Sequence, residues 1–146
     1  MSDYSALFSE LNFEKTIRRY CDDHEWEILF IDSETAMLDF EGDTDEVPVQ
    51  TLYIKRWTST LEFSVPSGIA FDDEDDIPGS ISTFLLKQNA ENKQGFWCIE
   101  KINDRFHYSM MHNEEGRIID SERFGVVVRT IIKECVKFEQ AVSELE

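Results

Sequence analysis

A chain of 146 residues with 41% hydrophobic residues and 11 Phe holds enough apolar side chain for one domain core, expected to span 1–146, and is too rich in it for wholesale disorder. A net charge of −17 repels phosphate backbones and anionic headgroups, so nucleic acid and membrane surfaces are poor partners. No window approaches the roughly 18 apolar residues of a membrane span, and the opening Met1-Ser2-Asp3-Tyr4 lacks the basic start of a secretory signal, which gives a cytoplasmic expectation.

In chain order, Phe13, Ile17, Tyr20 and Cys21 recur at helical spacing, with Asn12 as N-cap. Leu7, Phe8 and Leu11 suggest a further turn upstream, so a helix is expected over about residues 5–22. Trp26, Ile28 and Phe30 then alternate with Glu27 and Leu29, and Ala36, Leu38 and Phe40 alternate with Met37 and Asp39. Asp32-Ser33-Glu34 turns these two strands into a hairpin. A polar loop at 42–45 leads to a third strand over about Val47–Trp57, with Pro48 near its start.

Thr58-Ser59 closes a hairpin with a fourth strand, about Thr60–Val65, pairing Trp57 with Thr60, Lys55 with Glu62 and Ile54 with Phe63. That register gathers Leu52, Ile54, Leu61, Phe63 and Val65 on one face, and Tyr53, Lys55, Trp57, Glu62 and Ser64 on the other. Residues 66–80 read as a loop through Pro66-Ser67-Gly68, the acidic run Asp72–Asp76 and Pro78-Gly79. Ser80 caps a helix over about Ile81–Asn92. A further hairpin, Phe96–Ile102 with Arg105–His112, turns at Asn103-Asp104 and sets Glu100 opposite His107. The last helix starts near Asp120 or Ser121 and carries a stripe at Phe124, Val128, Ile131, Cys135, Phe138, Val142 and Leu145, stepping by four and three. The fold class is α+β: an antiparallel sheet of five to six strands in the order α-ββββ-α-ββ-α.

Catalytic and metal chemistry find no foothold. His107 and His112 stand five apart on one strand and point to opposite faces, so they cannot chelate one ion. The acidic run at 72–76 lacks the alternating ligands and central Gly of a calcium loop. No nucleophile has a base at recognisable spacing, and no glycine-rich phosphate loop occurs. The three cysteines form no CxxC pair and read as buried hydrophobes, the alternative being a reactive Cys21 beside Arg18 and Arg19. No enzyme activity, metal or cofactor is expected.

The stretches Phe84-Leu85-Leu86-Lys87-Gln88-Asn89, Gly95-Phe96-Trp97-Cys98-Ile99 and Arg105-Phe106-His107-Tyr108, followed by the final helix, resemble the type III secretion chaperone-like architecture, in particular the YbjN-type bacterial sensory transduction regulators. The resemblance spans about residues 12–145 and implies helices on one side of an antiparallel sheet. It further implies homodimers that bind an extended client segment on apolar patches. The YbjN-type proteins lend no defined activity.

Two functions follow. One is a protein- or peptide-binding adaptor or chaperone-like role, with Tyr53 and Trp57 side by side as an aromatic platform on the polar face. The alternative is an acidic stoichiometric inhibitor or immunity protein: residues 22–76 hold 17 acids against Lys55 and Arg56, and such a block could cap a basic partner. The stripe Phe124, Val128, Ile131, Cys135, Phe138 and Val142 reads either as core or as the seam of a homodimer.

Overall fold

The computed structural model describes residues 10–42 and 44–145, and the predicted turn at Leu7 and Phe8 lies outside them. Helix α1 (Glu10–Asp23) buries Phe13, Ile17, Tyr20 and Cys21. Asn12 sits inside it, correcting the expected cap. The helix ends in a Schellman motif: Trp26 N–H reaches Cys21 O at 2.9 Å and Glu25 N–H reaches Asp22 O at 3.1 Å. Glu25 takes the left-handed φ of 59° that this motif needs at its turning residue.

That cap explains a departure from the expected first strand. Trp26 and Ile28 pack partly buried on the core, but the chain only becomes a strand at β1 (Phe30–Ile31). Asp32 turns it, its carboxylate accepting from the N–H groups of Glu34 and Thr35. Strand β2 (Thr35–Phe40) follows, with Phe30 opposite Met37 and Ile31 opposite Ala36.

Strands β3 (Gln50–Trp57) and β4 (Thr60–Phe71) pair in the expected register: Trp57 with Thr60, Lys55 with Glu62, Ile54 with Phe63. Thr58 carries the positive φ of the tight turn, 53°. Leu52, Ile54, Leu61, Phe63 and Val65 are wholly buried, so the two-face reading holds for its apolar face.

Strand β4 does not stop at Val65. Pro66 pairs with Ser109 and Ala70 with His107, so Ser67, Gly68 and Ile69 together stand opposite Tyr108 alone. This bulge carries the strand through a Pro-Ser-Gly sequence that reads as a loop. The acidic run forms a short exposed 3-10 turn at Glu74–Asp76, capped by Asp73 and tied by Asp72 to Arg105 at 2.8 Å.

Helix α2 (Gly79–Glu91) begins after Pro78, with no side-chain cap, and Ser80 falls inside its first turn. Strands β5 (Phe96–Ile102) and β6 (Arg105–Glu115) turn where expected; Asn103 and Asp104 both have positive φ, 51° and 63°, as a type I′ turn requires. Helix α3 (Ser121–Glu144) is capped by the Asp120 carboxylate, which accepts from Arg123 N–H.

The six strands form one antiparallel sheet in the order β1-β2-β3-β4-β6-β5. The described helices share one face of it: α3 covers its middle strands, α1 packs against α3, and α2 seats Leu85 by Trp97 and Tyr108 toward the β5 edge. Aromatic rings knit this layer, with Phe124 5.2 Å from Tyr20 and 5.7 Å from Phe63, and Phe138 4.8 Å from Trp97. The expected α+β architecture is the one found.

Candidate functional site

With the described helices on one face, the other face of the sheet carries the residues that alternate away from the core. A single ladder row crosses all six strands: Phe30, Met37, Tyr53, Ser64, Met111 and Phe96 are successive register partners. Five of the six are large apolar or aromatic side chains. Each of those five is partly or fully accessible. Ser64 is the exception at 3% exposure, its hydroxyl donating to Glu100 Oε1 two strands away. Lys55, Glu62 and Asn113 form the neighbouring polar row.

Tyr53 and Trp57 share this face, but not as neighbours. Four residues of strand at roughly 3.3 Å each separate them by about 13 Å, with Lys55 between. Tyr53 lies in the apolar row, whereas Trp57 sits 59% exposed beside the turn, against Glu34, Thr35 and Arg56. The side-by-side platform expected from the sequence is therefore corrected to two separate positions: the register neighbours of Tyr53 are Met37 and Ser64, with Met111 one strand beyond Ser64.

Below Tyr53 the sheet opens. Pairing of β3 with β4 ends at Tyr53 and Ser64, and the strands part around a cleft of about 520 Å³. Its walls include Val49, Thr51 and Tyr53 on one side, and Pro66, Ile69 and His107 on the other. Glu139 reaches this cleft from α3 and bridges the parted strands. Its Oε2 accepts from Gln50 Nε2 at 2.9 Å and its Oε1 from Gly68 N–H at 2.7 Å. His107 Nδ1 meets Ser67 O at 3.0 Å, so the bulge is held from both faces. Glu100, opposite His107 as expected, bonds Ser64 instead of that ring.

The α3 stripe is core. Phe124, Val128, Ile131 and Cys135 are wholly buried, Phe138 nearly so, and Val142 packs against them. The sheet of the same chain occupies this stripe.

His112 lies on the helix side and His107 on the open side of β6, as their spacing requires. His112 Nδ1 accepts from Gly95 N–H at 3.0 Å, which leaves its Nε2–H to donate to Glu114 at 2.8 Å. Arg123 grips the same carboxylate at 3.0 Å. Burial raises the Glu114 carboxyl, but the hydrogen bonds from His112 and Arg123 and the charge of Arg123 outweigh it and hold the group below its ordinary range.

The thiols are quiet. Burial, then the charge of Asp22, pushes Cys21 up to about 12; burial, then Glu100 and Glu62, does the same to Cys98. Burial also raises Cys135. Arg18 pairs with Glu14 rather than with the Cys21 thiol. Among the described residues no three His, Cys, Asp or Glu side chains gather closely enough to hold a metal ion, and no helix is long and apolar enough to cross a membrane.

No family model matches this chain, and no curated protein matches it by sequence. The likeness is one of fold, and it defines an α+β class with three helices on an antiparallel sheet. A chain of the HopA1-SchA chaperone–effector complex superposes with a TM-score of 0.61 at 12% identity, covering 92% of this chain and 95% of that one. YbjN from E. coli superposes with a TM-score of 0.58 at 15% identity, covering 82% and 83% respectively. The architecture that the element order resembles is thus present in three dimensions.

Proposed function

We propose that this protein is a non-enzymatic, chaperone-like binder of an extended polypeptide segment, and that the segment lies on the open face of the sheet. The observation that carries the reading is the six-strand row through Met37, Tyr53 and Met111, apolar but for Ser64, with none of the described helices over it and a polar row beside it. Apolar anchors in a wet surround are how binding surfaces combine affinity with solubility. The chaperone–effector complex among the structural neighbours supports a protein partner.

The excess negative charge supports a second reading, in which the acidic half neutralises a basic partner stoichiometrically. Binding of fluorescent random-sequence peptides, read by polarisation, separates the two. Met111→Lys, within the row, should weaken binding at least tenfold with little change in melting temperature, and binding should survive molar salt. Trp57→Ala, outside the row, should weaken it no more than about threefold. Affinity that collapses in salt while Met111→Lys is harmless would favour the neutraliser.

A further inference from the structure

Glu139 is a carboxylate that no cation among the described residues neutralises. It is 9% exposed, and its hydrogen-bond donors, Gln50, the Gly68 amide and the distant Cys135 thiol, are all neutral. Among the described residues no ion pair includes it, and no Lys or Arg lines the cleft above it. Burying an uncompensated charge is unfavourable, and here that desolvation is already incurred by folding. A cation entering the cleft has only its own hydration to lose.

The surroundings strengthen that field. Thr51, in the wall, donates to Asp39 at 2.7 Å, and Glu46 and Glu144 line an adjoining cleft that also touches Glu139. Negative walls of low polarisability focus potential and draw a positive group inward. The remaining lining suits a long amphipathic stem, with Val49, Tyr53 and Ile69 offering apolar surface along the way in.

We infer that this cleft is a subsite for one lysine or arginine side chain of the bound segment, its charged end at Glu139 and its methylene stem along Val49, Tyr53 and Ile69. The inference rests on the reading that the open face binds an extended polypeptide: Tyr53 belongs both to the apolar row and to the cleft wall, so one segment could occupy both. It adds a charge requirement that the apolar row alone does not impose.

The test uses the full chain and the probe N-acetyl-arginine amide, with its uncharged isostere N-acetyl-citrulline amide as comparison. The Gly68 amide donates to Glu139, so its proton and nitrogen shifts report occupancy of the cleft. The arginine probe should shift Gly68 saturably at millimolar concentration, and citrulline at least tenfold more weakly. Glu139→Gln should erase that preference; a glutamine can still accept from Gly68 and, with the Gln50 amide turned over, still bond to it, so the fold is expected to persist. Equal shifts with both probes on the native chain would overturn the subsite whatever the variant does, as would an arginine preference that survives Glu139→Gln. Random peptides that still bind in a Met111-dependent manner would then show that only the subsite had failed. An arginine preference at Gly68 without any peptide binding would sink the open-face reading instead.

Discussion

The imidazole of His24 lies where a β-carbon on Gly125 would have to be. Its Nε2 stands 2.6 Å from that position, and Arg129 Nη1 2.9 Å. The ring has little freedom to retreat, being stacked on Trp26 at 4.6 Å and hydrogen-bonded to Ser121 O at 2.7 Å. Gly125 is thus the point where the segment after α1 passes close to α3. Gly125→Ala should destabilise the protein by about 1–3 kcal/mol through overpacking, although alanine is the better helix former. Denaturant melts check this, and an alanine variant at least as stable as the native chain would show the ring free to move.

On β4, adjacent residues should behave differently for different reasons. Phe63→Ala empties a wholly buried site against Phe124 and should cost about 3–5 kcal/mol. From the sequence, Ser64 belongs to a polar face where alanine would be neutral. In the structure its hydroxyl donates to Glu100, so Ser64→Ala should cost about 1–2 kcal/mol by leaving that carboxylate short of a donor. Urea midpoints for the two variants decide it, and a neutral Ser64→Ala would restore the simpler view.

Glu114 gives the fold a defined acid response. Its carboxyl titrates below its reference value of 4.5 in the native state, so the charged form contributes stability that is present above the unfolded value and lost as pH falls through the lower folded one. Glu114→Gln should therefore be less stable than the native chain at pH 7, and the gap should close as pH drops below 4.5. Thermal melts of both proteins across that range give the difference directly. A gap independent of pH would mean that the glutamine loses packing rather than charge.

The two hairpins and α3 were legible in the sequence because local chemistry and long-range packing agree there. Thr58-Ser59 and Asn103-Asp104 are turns flanked by alternating strands, and only one register puts the apolar residues together. Legibility failed where one level overrode another. Pro66 and Gly68 mark a loop by composition, yet the strand continues because Glu139 and His107 satisfy the bulge from both faces. Trp26 and Ile28 alternate like a strand, yet the cap on α1 fixes Trp26 as its closing residue. The candidate site was half visible. Tyr53 stood out as an aromatic on a polar face, but its row partners Met37 and Met111 are fixed by pairings distant in sequence, and Glu139 reads as an ordinary charge beside Phe138.

The bridge made by Glu139 also bears on the order in which the molecule can be completed. It joins residues 89 and 71 positions apart, and α3 follows every strand in the chain. Until that helix docks, the gap between β3 and β4 has nothing to span it, and the apolar strands on either side lack their cover. Contacts of such long separation are formed late and slow the search for the native state. A ribosome-bound chain lacking α3 would therefore present an unlatched sheet with its middle strands uncovered, a species prone to sticking to its neighbours. The element that sets the floor of the cleft is then also the one that ends the chain's exposure to aggregation.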